Sequence, residues 1–141
     1  MKLQMNPYIL VDGSAEEAIA FYQEVLGAKV LFKQTMGEGP QNPENPMTEQ
    51  EKALIAHAVL LAGETKFFVA DYERGMPRSR GNSINICLTV ETEAEAQQLF
   101  NSLKAGGTVD IELAPAYYSP AYGMVTDKFG VCFQIFMDNR K

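Results

Sequence analysis

His57 is the only imidazole in the chain, and it stands in an apolar run between Ala56 and Ala58. An unperturbed histidine titrates at ~6.5, which suits proton transfer or a hydrogen bond to a ligand. The same surroundings suit a buried ring whose nitrogens are satisfied within the fold. Both readings stay open, because no carboxylate or hydroxyl lies at a spacing that makes a triad legible. A two-histidine, one-carboxylate metal site within one subunit is impossible with a single histidine. Cys87 and Cys132 are too few and too far apart for a metal knuckle or a Cys-x-x-Cys pair. Each falls in an apolar strand pattern, where a thiol serves as a small hydrophobe in core or cleft; a reactive thiol and a strand-to-strand bridge are the alternatives. Tyr117, Tyr118 and Tyr122 flank Pro120 and suit either stacking on a flat ligand or packing at a core rim. Asp127 and Lys128 sit in a turn sequence and are expected to be solvated.

Two copies of one pattern position these residues. Ser14-Ala-Glu-Glu17 and Thr92-Glu-Ala-Glu95 both read as capping boxes, with the hydroxyl on the N3 amide and the Glu reaching back. Each opens an amphipathic helix, and each helix runs into glycine (Gly27, then Gly106-Gly107) and a strand. The two starts lie more than half a chain apart, so this is one duplicated module rather than a solenoid. The first helix puts Ala15, Ala18, Ile19, Tyr22, Val25 and Leu26 on one face, and the second Ala96, Leu99, Phe100 and Leu103. Alternation and turn residues predict strands at 3–11, 28–36, 54–62 and 65–71, then at 82–91, 108–113, 121–126 and 131–137. Residues 37–51, rich in Gly, Pro and Asn, read as a long loop, either a flap or a disordered excursion. The segment 72–81, with Arg74, Arg78 and Arg80, links the halves. The predicted fold is α+β: two tandem βαβββ modules, 1–75 and 76–141, in one integrated domain. Each forms a curved mixed sheet with its helix on the convex side, leaving a concave cleft.

The chain has 141 residues, 46% hydrophobic, and a net charge of −6 with no cluster of Lys or Arg. Nucleic acid and anionic membranes, which are held by clustered basic residues, are therefore excluded as partners. No apolar run is long enough to span a bilayer and no leader pattern opens the sequence, so a cytoplasmic protein is expected.

Three segments carry a family resemblance: Ala18-Ile-Ala-Phe-Tyr-Gln-Glu-Val-Leu-Gly27, His57-Ala-Val-Leu with Gly63 and Asp71 following, and Val125-Thr-Asp-Lys-Phe-Gly-Val-Cys-Phe-Gln-Ile135. Together they resemble the vicinal oxygen chelate superfamily of glyoxalase I, extradiol dioxygenases and bleomycin-resistance proteins. The closest likeness is to its PhnB-like branch, also labelled 3-demethylubiquinone methyltransferase-like; Phe133 stands where that branch usually has Trp. Methyl transfer is not expected, since no Gly-rich nucleotide loop follows the first strand: Gly37-Glu-Gly39 lacks a third Gly and a helix.

The resemblance implies a homodimer and places Asn6, Phe68, Asn85 and Gln134 where metal-dependent relatives carry their ligands. Amide oxygens are weak ligands for zinc, nickel or iron, and Phe ligates nothing, so no metal and no cofactor are expected. Period-two alternation puts Asn6, Tyr8 and Leu10 on one face, Asn85, Cys87 and Thr89 on another, and Cys132, Gln134 and Phe136 on a third. In the family register these faces meet in one cleft, joined by His57. The candidate ligand-binding residues are thus Asn6, Tyr8, His57, Phe68, Asn85, Cys87, Tyr118 and Gln134, with His57 the candidate catalytic residue. The favoured reading is a module that binds a small flat or amphipathic molecule. The alternatives are a metal-independent isomerase or lyase using His57, Asn85 and Gln134, and an interaction protein whose cleft is filled.

Overall fold

A computed structural model describes residues 1–138. In the first unit, Met1–Arg78, the order is β1 (Tyr8–Val11), α1 (Ala15–Leu26), β2 (Lys29–Thr35), a 3-10 turn (Met36–Glu38), α2 (Glu49–Ala53), β3 (Ile55–Ala62) and β4 (Thr65–Asp71). The second unit, Ser79–Lys141, runs β5 (Ile86–Val90), α3 (Glu93–Lys104), β6 (Thr108–Ala116), β7 (Ser119–Thr126) and β8 (Cys132–Met137). The fold is α+β, with two four-stranded mixed sheets ordered β1-β4-β3-β2 and β5-β8-β7-β6. Only β1–β4 and β5–β8 are parallel. Antiparallel hairpins supply the other pairs.

Each sheet buries one face under its helix. From α1, Ala15, Ala18, Ile19 and Tyr22 are buried, while Val25 and Leu26 are only half covered. The Tyr22 ring meets Phe67 edge-on at 6.0 Å. In the second unit Ala96, Phe100 and Leu103 are buried against β7 and β8. Burying a ring of that size is worth roughly 1.5–3 kcal/mol, so Tyr22 and Phe100 anchor their units. Gly123 lets Phe100 lie directly on β7: a Cβ there would stand 3.0 Å from the Phe100 ring and 3.1 Å from the Leu113 Cα. Gly123→Ala is expected to cost about 1–2 kcal/mol through overpacking, read as a lowered urea midpoint with unchanged slope.

Several boundaries differ from the sequence reading. β1 starts at Tyr8, not residue 3, and β5 at Ile86, not residue 82, so Asn6 and Asn85 precede their strands. Pro7 has no N–H for a ladder, but its carbonyl accepts from Phe68 N at 2.9 Å. The Ser14 box does not form. Ser14 makes no side-chain cap, and the carboxylate of Asp71 accepts from Ala15 N at 2.9 Å instead. At Thr92 the hydroxyl accepts from Glu95 N as expected, but Glu95 accepts from that hydroxyl rather than the backbone. Gly27 closes α1 in the left-handed region at φ 63°, whereas α3 stops at Ala105 and the positive φ falls on Gly106. Asp127 is not solvated: it is buried, and its carboxylate accepts from Phe129 N and Val131 N. It organises the turn from within, as an aspartate can wherever backbone amides lie two to four residues on.

Residues 37–51, read as a long loop, either a flap or a disordered excursion, hold part of the 3-10 turn and the start of α2. Thr48 and Glu51 form a reciprocal capping box there, at 2.9 and 3.1 Å. The Arg74 guanidinium fixes the loop from outside, donating to Glu51 at 2.6 and 2.7 Å, to the Pro46 carbonyl and to Asn45. Gln41 donates to the carbonyls of Gly37 and Gly39. The Arg74 hydrogen bonds, helped by Thr48, hold the Glu51 carboxyl down at about 2. A carboxylate depressed in the folded state stabilises above its ordinary range and stops doing so as pH falls through the folded value. Protection of the 37–53 amides, relative to their intrinsic exchange rates, is therefore expected to fall progressively as pH drops from about 4.5 to about 2. Glu51→Gln is expected to open the same segment at neutral pH.

Candidate functional site

Tyr8, His57 and Phe68 come together on the face of the first sheet away from α1. β1 and β4 pair Tyr8 with Phe68, and β3 and β4 pair Val59 with Phe68, so His57, two residues from Val59, shares that face. The Tyr8 hydroxyl and His57 Nδ1 lie 2.8 Å apart. The Tyr8 and His57 rings each stand against Phe68, at 5.4 and 5.1 Å, and Phe32 of β2 adds a further ring 6.2 Å from His57. Tyr8 and Phe32 keep 48% and 47% of their surface exposed, so this aromatic face is open to a ligand. Burial, then the nearby Glu73 charge, raises the Tyr8 hydroxyl above its ordinary range, so it stays protonated at neutral pH. Either Tyr8 donates to Nδ1 and the ring proton sits on Nε2, or Nδ1–H donates to the tyrosine oxygen and Nε2 is an acceptor. In both tautomers the contact with Tyr8 orients the ring.

A cavity of about 250 Å³ opens where β1 and β4 end. Tyr8, Leu10 and Ala70 line it from the sheet and Ala56 from the start of β3. Asp71, Glu73 and Met76 complete its lining. Asp71 is buried, with both carboxylate oxygens accepting backbone amides, Ala15 N and Ile55 N, at 2.9 Å. Asn6 does not join this group: its amide donates to the Lys66 carbonyl at 3.0 Å and fastens the segment before β1 to β4.

In the second unit Gln134 is the centre of a directed chain. The Tyr122 hydroxyl donates to Gln134 Oε1 at 2.9 Å, Gln134 Nε2 donates to Asn85 Oδ1 at 2.9 Å, and Asn85 Nδ2 donates to the Asn82 carbonyl at 3.1 Å. Both amides are half-buried. Burial foremost, with Tyr118 next, pushes the Tyr122 hydroxyl up. Beside this chain Tyr118 meets Tyr122 edge-on at 5.3 Å and stacks over Phe136 at 6.3 Å, while Tyr117 at the hairpin tip is fully exposed. Both cysteines are free: Cys87 is exposed beside Gln134 in the ladder, and Cys132 is buried, which raises its thiol.

The donor set does not suit a transition metal. Phe68 ligates nothing, Asn6 spends its amide on a backbone carbonyl, and the Asn85 and Gln134 oxygens already accept hydrogen bonds. Among the described residues no three His, Cys, Asp or Glu side chains gather at one point. None of their helices is long and apolar enough to cross a membrane.

Sequence reasoning missed Phe32, Tyr122 as the partner of Gln134, and the Glu73 and Met76 side of the cavity. Phe32 was legible only through its pairing opposite Val59, because β2 carries register shifts that break simple alternation. Tyr122 reads from sequence as a stacking residue, and nothing in its local surroundings points to Gln134.

The family model for the Glyoxalase/Bleomycin resistance protein/Dioxygenase superfamily matches residues 4–135. The curated protein YjdN of Escherichia coli (strain K12) is 27% identical over 141 residues, covering 94% of each chain. The crystal structure of Pseudomonas aeruginosa PA1353 is 31% identical, with a TM-score of 0.86, over 97% of this chain and 98% of that one. A PhnB protein from Bacillus cereus superposes with a TM-score of 0.80 at 22% identity, over 96% of this chain and 100% of that one.

Proposed function

We propose that this chain, which belongs to the glyoxalase/bleomycin resistance protein/dioxygenase superfamily, binds a small flat or amphipathic molecule and uses no transition metal to do so. The observation that carries this reading is the half-exposed aromatic face of Tyr8, His57, Phe68 and Phe32 adjoining the cavity of about 250 Å³. Mostly apolar concave surface with a few placed polar groups is what small-molecule sites have in common. Fold membership alone chooses no chemistry, because one scaffold hosts many. The test is a thermal-shift screen of a metabolite library against protein whose metal content has been measured. Ligands that stabilise metal-free protein and perturb the Tyr8 and His57 resonances support the reading. Stoichiometric zinc, nickel or iron required for binding overturns it.

The Tyr8–His57 contact at 2.8 Å favours a second reading, a metal-independent enzyme in which His57 moves a proton. Turnover of a bound ligand that His57→Gln abolishes while binding persists would establish it over simple sequestration. The same proposal has the protein as a cytoplasmic homodimer, its short or irregular edge strands covered by a second copy. A monomer by light scattering at tens of micromolar counts against that part.

A further inference from the structure

We propose that Tyr72–Arg78 is a gate, a closed loop that shuts the cavity over its occupant and opens as the ion pairs of Arg74 and Arg78 break. This rests on the small-molecule reading and adds to it how the site is entered. The loop leaves β4 and returns to where it began. Tyr72 N donates to the Val11 carbonyl at 2.9 Å, and Arg78 donates to the Asp12 carboxylate at 2.7 Å, so both ends are fastened at the end of β1. The Arg78 guanidinium also lies over the Tyr72 ring at 5.2 Å and donates to the Met76 carbonyl at 3.1 Å. Compact surface loops whose ends meet in this way are frequently functional.

Between those ends Met76 N donates to the Glu73 carbonyl at 3.1 Å and closes a turn. Its third residue, Gly75, takes φ 80°, as a type II turn requires. The turn brings its first and fourth residues, Glu73 and Met76, side by side, and both line the cavity. Its second residue, Arg74, reaches instead to segment 37–53, where it donates to Glu51, Asn45 and the Pro46 carbonyl. One turn thus joins the cavity lining to a latch. No residue of 72–78 is buried, and none of 36–54 is, so neither segment has a core to hold it. Their closed position depends on exposed polar contacts, the low-stability end from which lids are drawn. That segment in turn leads through Ile55 into Ala56, another wall of the same cavity.

The test follows two amides of the full chain by solvent-exchange NMR, Met76 N in the turn and Tyr72 N at the root, with benzyl alcohol as the cavity probe. Arg74→Met removes the latch and keeps the turn. It is expected to speed exchange at Met76 N about fivefold, the upper end for an exposed ion pair, and to leave Tyr72 N unchanged. Arg78→Met frees the root and should speed both. High salt should act on the wild type in the same direction as Arg74→Met, and less on the variant. Exchange of the probe, read from line shapes at Leu10 and Ala70, should quicken in Arg74→Met by a similar factor. If benzyl alcohol does not bind, a library ligand whose shifts centre on Leu10 and Ala70 takes its place. Unchanged Met76 exchange in both variants overturns the fastening. Faster Met76 exchange with unaltered probe kinetics overturns the gate and leaves small-molecule binding standing. Faster Met76 exchange with no ligand found anywhere on the protein overturns the small-molecule reading, and the gate with it.

Discussion

Asp71→Ala is expected to destabilise the first unit by about 3–5 kcal/mol, since each buried donor left without a partner costs roughly 1–3 kcal/mol. Asp71 sits at the end of β4 with 3% of its surface exposed, and its two oxygens reach two other elements. One accepts the first amide of α1, Ala15 N, and the other the first amide of β3, Ile55 N. A single carboxylate therefore ties strand, helix and strand at one point. Its charge also faces the positive end of the α1 dipole. Alanine removes the acceptor and leaves both amides buried. Asn, with one acceptor oxygen and one NH2, can keep one bond but turns a donor towards the other amide, so Asp71→Asn should fall between wild type and Asp71→Ala. Urea unfolding followed by circular dichroism reads the series as an ordered drop in midpoint. Equal midpoints for the wild type and Asp71→Ala would show that solvent reaches these amides and that the tie is dispensable.

Asp71 also shows why the fold was legible in the sequence while its local details were not. Helical and strand periodicities report which face is buried, and that is enough to place two helices, eight strands and the duplication. Capping residues report only a local possibility. The motif Ser14-Ala-Glu-Glu17 offers a box, but a carboxylate from 56 residues away occupies the same amide and Ser14 is left uncapped. Tertiary contact overrode local chemistry there. The opposite happened at Thr48-Glu-Gln-Glu51, an equally clear box that forms in full inside a stretch read as loop. The density of Gly, Pro and Asn hid a short helix whose start signal was present. For the site, period two grouped Tyr8 with Leu10 and Gln134 with Phe136 correctly along their strands. It could not show that Asn6 turns its amide to Lys66, because the strand begins at Tyr8, after Asn6, and not at residue 3. Side-chain hydrogen bonds across 49 residues, Tyr8 to His57 and Gln134 to Asn85, lie outside what local spacing encodes.

Gln134→Leu is expected to cost about 2 kcal/mol while the second unit stays folded. The side chain makes both a donor and an acceptor contact, so leucine of similar volume fills the space but strands the Tyr122 hydroxyl and the Asn85 carbonyl oxygen. The cost stays moderate because these groups are half-buried and water can reach part of them. Tyr122→Phe breaks the first link alone and should cost about 0.5–1.5 kcal/mol, the ordinary net value of one bond. The double variant then separates two accounts. If Gln134 acts through Tyr122, Tyr122→Phe in the Gln134→Leu background costs clearly less than in wild type, a coupling of about 1 kcal/mol. If the two losses simply add, the 2.9 Å contact contributes nothing. Asn85→Leu probes the other end, since it orphans Gln134 Nε2 in the same way. Tyr122, Gln134 and Asn85 together hold amide and phenol groups in fixed orientations on this sheet. A Gln134→Leu protein with an unchanged urea midpoint would show that water replaces both lost contacts.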